Sequence, residues 1–82
     1  MNYEWDPDKA SANLRKNQVD FADAAGVFQD PLALTVPDDR HGESRFVTVG
    51  MDFMGRLLVV AWTWRAGNLR VISAREALPA ER

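Results

Sequence analysis

Between Leu57 and Trp64 the chain reads Leu-Leu-Val-Val-Ala-Trp-Thr-Trp, a stretch with almost no polar break. It is far shorter than the ~20 apolar residues a membrane span needs. A half-buried strand would alternate polar and apolar residues, so a near-continuous apolar strand predicts cover on both faces and a central place in a sheet. The segments on either side of it do alternate. Arg45 to Gly50 sets Val47 and Val49 against Phe46 and Thr48. Leu69 to Arg75 sets Leu69, Val71, Ser73 and Arg75 on one face and Arg70, Ile72 and Ala74 on the other. On a regular strand Arg70 and Arg75 therefore point to opposite sides unless a bulge intervenes near Ser73. Asp52-Phe53-Met54-Gly55 and Arg65-Ala66-Gly67-Asn68 are short enough to close antiparallel hairpins between the three strands.

Two helices are predicted ahead of these strands. Asp6-Pro7-Asp8 places a cap, a proline suited to the first helical position and an acid that complements the dipole, for a helix to about Lys16. Its apolar face is thin, Ala10 and Leu14 alone, and calls for support from Tyr3 or Trp5. Asp20 starts a second helix whose stripe is Phe21, Ala24, Ala25 and Phe28. Gly26 near its end costs about 1 kcal/mol relative to alanine. After Asp30-Pro31, Leu32 to Val36 reads as a short strand, and Pro37 to Glu43 as a polar loop. The order predicts an α+β protein: two N-terminal helices packed on one side of an antiparallel sheet of three to four strands, with room for a short C-terminal helix from Pro79. At 82 residues, all of it makes one domain, 1–82.

Composition narrows the function. With 46% hydrophobic and 27% charged residues the chain is an ordinary compact protein. It has no cysteine, which removes disulfides and thiolate metal sites, and its one histidine cannot form a His-based metal cluster. The N-terminus resembles no secretory signal, so a cytoplasmic address is expected. The net charge of −2 hides an asymmetry: the first 44 residues hold four Lys/Arg and nine Asp/Glu, the remaining 38 hold six Arg and three Asp/Glu. Arginine binds phosphate through a planar fork and stacks on bases, which lysine does less well.

Neither a glycine-rich phosphate loop nor a nucleophilic triad can be read from the spacing. Arginines, a few carboxylates, one histidine and aromatics are too few for most reactions but suffice where the substrate brings its own nucleophile. RNA is such a substrate, because its 2′-hydroxyl attacks the neighbouring phosphate. The protein then aligns the backbone, neutralises phosphate charge and moves a proton. His41 and Glu43, in the polar loop, are the candidates for the proton. Trp62 and Trp64 read more readily as core than as a base-stacking platform.

The order of the pieces resembles the BrnT toxin family across nearly the whole chain. The resemblance runs from Trp5-Asp6-Pro7-Asp8-Lys9-Ala10 and Asn13-Leu14-Arg15-Lys16, through Val19-Asp20-Phe21, Ala24-Ala25-Gly26-Val27-Phe28 and Asp30-Pro31, to Arg45-Phe46, Val49-Gly50 and Gly55-Arg56-Leu57-Leu58-Val59-Val60. Its most specific stretch is Arg70-Val71-Ile72-Ser73-Ala74-Arg75. The resemblance implies a fold similar to RelE-type ribonucleases and a metal-independent endoribonuclease, without cofactor, that arrests translation. It also implies a ribbon-helix-helix antitoxin of the BrnA type in a 2:2 complex, which reaches operator DNA only through the antitoxin, with no membrane role. On this reading Arg65, Arg70 and Arg75 act on the phosphate, His41 or Glu43 moves protons, and Arg45, Arg56 and Lys9 bind RNA. Asn17 stands where the family usually has histidine, and the tail from Glu76 to Arg82 is less basic than the family's. Those departures motivate a second reading: a catalytically weak or inactive module that acts by binding its antitoxin or another regulator. Neither helix carries the clustered cations of a DNA-recognition helix.

Overall fold

Asp6 and Asp20 open the two helices as their positions predict. In the computed structural model, which describes residues 2–40, 42 and 44–81, each carboxylate accepts the backbone N–H two residues on, from Asp8 at 2.9 Å and Ala22 at 3.0 Å. Helix α1 spans Pro7–Asn17 and ends at Gln18 in the left-handed conformation, whose N–H closes on the Leu14 carbonyl. Helix α2, Phe21–Ala24, continues as a 3₁₀ segment, Ala25–Gln29. That tightening shifts the predicted stripe. With about three residues per turn, Phe21, Ala24 and Val27 align and are fully buried, while Ala25 and Phe28 are only partly so. Gly26 is there for space: a Cβ would meet the Phe53 ring at 2.7 Å.

The sheet has five strands in the order β1-β5-β4-β3-β2 and is mixed, which corrects the expectation of three or four antiparallel strands. Strand β1, Tyr3–Glu4, is the addition; it pairs in parallel with β5, Asn68–Glu76. Two residues carry no periodicity for a sequence to display. Strands β2 (Leu34–Asp38), β3 (Arg45–Met51) and β4 (Leu57–Arg65) follow as an antiparallel meander into β5. Strand β2 starts two residues later than expected and takes in Pro37, tolerated because β2 is an edge. At the C-terminus Pro79–Glu81 forms one 3₁₀ turn.

Strand β4 is central, as its composition requires, but the described residues cover only one of its faces. Leu58, Val60 and Trp62 face the helices and are buried with Val19, Phe21, Val27, Leu69, Val71 and Ala74. Phe46 stacks on Trp62 at 4.7 Å, and Phe28 and Trp64 meet its edges. The Trp62 indole N–H donates to Thr48 Oγ1 at 2.8 Å, which shares a hydrogen bond with Thr35 Oγ1 at 2.7 Å. The aromatic expectation holds for Trp62; Trp64, at the end of the strand, is 50% exposed. Leu57, Val59 and Ala61 lie on the opposite, open face.

The hairpin from β4 to β5 turns on Ala66 (φ 51°) and Gly67 (φ 81°), between the paired residues Arg65 and Asn68. Two positive φ values make a type I′ turn, which suits Asn-Gly better than Ala-Gly. Ala66→Asn is therefore expected to raise the unfolding free energy by about 0.5–1 kcal/mol. Urea denaturation would register this as a higher midpoint at unchanged slope; a lower midpoint would show that Ala66 does not hold this conformation in solution.

Candidate functional site

Over their paired span, Leu58–Arg65 against Asn68–Glu76, β5 carries one residue more than β4. Ala61 pairs with Ser73 and Trp62 with Val71, so Ile72 is extra. Two consecutive side chains, Ile72 and Ser73, consequently share the open face, and the alternation changes phase between Arg70 and Arg75. Arg70 lies across from Thr63 and Arg75 from Val59, two residues on the same side of β4. Leu69, Val71 and Ala74 all turn to the core instead. This corrects the strict alternation expected from sequence, which set Ser73 and Arg75 with Leu69 and Val71, and it brings Arg70 and Arg75 to one side.

The bulge is held from the helix layer. Asn13, buried on α1, accepts the Ala74 N–H on Oδ1 at 3.1 Å and donates from Nδ2 to the Ala74 and Val19 carbonyls, each at 2.9 Å. Its amide does for Ala74 what a neighbouring strand would do, since β1 covers β5 only at Leu69 and Arg70. Asn17 adds bonds to Asn13 Oδ1 and the Ala74 carbonyl, both 3.1 Å. Helix α1 thus docks through two asparagines rather than through Leu14, which is half exposed. Removing the Asn13 amide would strand buried backbone groups at a cost of about 2–4 kcal/mol.

Two adjoining clefts lie on the open face. One is lined by Asp38, Arg40, Arg45, Val47, Val59, Ala61, Ile72, Ser73 and Arg75. The other is lined by Asp6, Lys9, Arg45, Thr63, Trp64, Arg65, Arg70 and Ile72. Arg45 and Ile72 belong to both. Six cations and two carboxylates therefore border a continuous surface on a chain whose net charge is −2. Arg70 is held by Glu4, its neighbour on β1, with Nη1 at 2.6 Å from Oε2, and Asn68 donates to the other oxygen at 3.0 Å. The Asn68 and Arg70 hydrogen bonds keep the Glu4 carboxyl below the usual carboxylate range. Arg40 is bidentate on Asp38 at 2.8 and 2.9 Å.

Of the residues singled out from sequence, Arg45, Arg70 and Arg75 meet on this face, and Arg65 borders its second cleft with Lys9 of α1. Arg56 does not. It sits at the β3–β4 turn, where Nε and Nη2 both reach Asp52 Oδ2 at 2.9 Å and Nη1 donates to the Gln18 carbonyl at 3.2 Å. Asp52 is buried and also accepts the Met54 and Arg56 N–H groups. His41 and Glu43 lie outside the described residues. Glu4, Asn13 and Asn17 were missed as site-forming residues; the signal was present in two asparagines spaced i,i+4 on the face α1 shares with Ala10.

What the fold defines is a small α+β protein with one helix-covered sheet face and one open, cationic face. Residues 5–81 match the family described as ribonuclease toxin, BrnT, of type II toxin-antitoxin system. The chain belongs to that BrnT family of ribonuclease toxins. The crystal structure of the Brucella abortus ribonuclease toxin BrnT is similar to it, with a TM-score of 0.76 and 26% identity, over 95% of this chain and 97% of that one. Comparison with curated proteins gives no match.

Two outcomes follow. Arg56→Ala leaves the Asp52 carboxylate buried without its partner and is expected to cost about 2–4 kcal/mol in urea denaturation; an unchanged midpoint would remove Arg56 from the turn's support. Because the folded Glu4 carboxyl is held low, its stabilisation is present above the ordinary carboxylate range and is lost as pH falls through the lowered folded value. Glu4→Gln should accordingly lose less stability than the parent between pH 6 and pH 3. Parallel loss in the two proteins would mean that the Glu4–Arg70 pair does not form.

Proposed function

We propose that this toxin binds and cuts RNA on its open face, between the two clefts, with Arg45, Arg70 and Arg75 as the phosphate-binding groups. The observation that carries the reading is the phase change at Ile72, which gives β5 two arginines on the side where β3 presents a third. The substrate's 2′-oxygen attacks the adjacent phosphorus as the bond to the 5′-oxygen breaks, leaving a 2′,3′-cyclic phosphate. Guanidinium groups aimed at the phosphate oxygens stabilise the charge that builds there. Arg65 and Lys9 flank the second cleft and extend the contact along the backbone. The proton from the 2′-hydroxyl goes to His41 or Glu43, in the loop between β2 and β3, which can return it to the leaving oxygen. The nucleophile is internal to RNA and the charge is met by arginines, so cleavage proceeds without a metal. Arg56 serves the turn rather than the RNA.

The physiological frame we infer is arrest of translation in the cytoplasm by a single-domain toxin with a RelE-like layout. A BrnA-type ribbon-helix-helix antitoxin in a 2:2 complex restrains it, and operator DNA is reached through the antitoxin. The chain's net charge of −2 does not oppose RNA binding, because six cations against two carboxylates line the clefts themselves.

The test is digestion of a labelled oligoribonucleotide by purified protein. Arg45→Ala, Arg70→Ala and Arg75→Ala should each lower the cleavage rate by about 10²–10³ with the fold retained, and a chelator should leave the parent's rate unchanged. Binding of a 2′-O-methylated strand should weaken with salt by a log–log slope of about −0.7 per phosphate held. Full activity in the Arg70 and Arg75 variants would move the site elsewhere.

A further inference from the structure

Trp64 is an aromatic residue that neither the core nor the phosphate-binding arginines account for. At the end of β4 it pairs with Leu69, on the side of the helices, yet Leu69 is 1% exposed and Trp64 50%. The core on that side is closed by Trp62, which packs on Phe46 and Phe28. Trp64 meets this cluster across a perpendicular contact with Trp62, ring centroids 5.2 Å apart and planes at 88°. Half of a large apolar side chain is thus left in water at a position where core packing does not call for it.

Its neighbours in the second cleft are cations: Lys9, Arg45, Arg65 and Arg70 line the same concavity as Trp64. Cations that track phosphates beside a ring that takes a base are the combination by which single nucleic-acid strands are held. Trp64 lies opposite Leu69, and Arg70 is the next residue of β5. Ring and guanidinium therefore start from adjacent strands, about 4.8 Å apart, on opposite sides of the sheet's end. Between those sides the chain turns through Ala66 and Gly67, which are exposed and small and leave the passage free. Both partners are oriented before a ligand arrives, Arg70 by Glu4 at 2.6 Å and Trp64 by Trp62, which lowers the ordering cost of binding.

We infer that Trp64 is a nucleotide-binding residue of this toxin, on which an unpaired base stacks while Arg70 holds the adjoining phosphate. The substrate class that follows is single-stranded RNA, because a base stacked and paired within a duplex has no free face to offer. Stacking accepts every base, so Trp64 selects for strandedness rather than for sequence. This role rests on the binding of RNA at the open face, and adds to it the group that holds the base.

The experiment compares two uncleavable strands of equal length: a 2′-O-methylated oligoribonucleotide and the same sugar–phosphate chain without bases. Trp64→Leu should weaken binding of the base-bearing strand by about ten- to hundredfold. It should leave the Kd of the baseless strand within about twofold and the salt dependence of both unchanged. Trp64→Phe, which keeps a ring, should restore most of the lost affinity. An unchanged Kd for the base-bearing strand in Trp64→Leu, or an equal loss for both strands, would overturn the role of Trp64. Arg70→Ala and Arg75→Ala run alongside and should weaken both strands. Parent-like binding in those two variants would refute the open-face reading itself, whereas weakened arginine variants beside a normal Trp64→Leu would remove the stacking alone. Should Trp64→Leu fail to fold, tryptophan emission of the parent decides: quenching by the base-bearing strand alone supports stacking, and equal emission with both strands contradicts it.

Discussion

A side-chain amide from α1 occupies the unpaired edge of β5 at Ala74, directly beyond the extra residue Ile72. Without a strand on that edge, the Ala74 N–H and carbonyl would be buried with no partner. The amide of Asn13 satisfies both, and so holds β5 in the phase that sends Ala74 inward and Arg75 outward. Everything on the open face depends on that phase. A regular strand would put either Arg70 or Arg75 into the helix layer, where an arginine has no place. The helices therefore do more than cover a core: one of them sets which way β5 faces.

The two faces of the sheet are built by different physics. On the covered face, aromatic and aliphatic packing around Trp62 and the Trp62–Thr48–Thr35 hydrogen bonds lock β4, β3 and β2 in register. On the open face, charge is arranged in pairs that keep the guanidiniums oriented: Glu4 and Asn68 around Arg70, Asp38 around Arg40. Arg40 stays largely in water in its pair, whereas Arg70 and Glu4 are mostly shielded. Under the proposed RNA-binding role, a phosphate would meet groups that are already positioned, which lowers the ordering cost of binding.

Much of this was legible in the sequence, and what was not has physical reasons. Helix starts at Asp6 and Asp20, the three long strands and the central place of β4 follow from capping chemistry and local periodicity, which the chain displays in consecutive residues. Strand β1 was not visible, because two residues pairing in parallel at the far edge leave no pattern. The 3₁₀ continuation after Ala24 escaped because Phe21, Ala24 and Phe28 fit a helical stripe as well as Phe21, Ala24 and Val27 fit a tighter one. The arginines were legible as a group but not as a face: an extra residue in a strand leaves no mark on a period-2 pattern, and Arg70 and Arg75 could be allied only by seeing Ile72 unpaired. Arg56 belonged to the same composition yet went to Asp52, a partner four residues away across a glycine turn that the spacing already offered.

The most direct measurement is an NMR titration of the isotope-labelled protein with a fully 2′-O-methylated oligoribonucleotide, which binds but cannot be cut. Shifts are expected to gather at Arg45, Val47, Ala61, Arg70, Ser73 and Arg75, with both ends of the bulged strand moving at the same RNA concentration, while Ala10, Leu14 and Phe21 stay still. Shifts centred on the helices, or at Arg75 without Arg70, would contradict it.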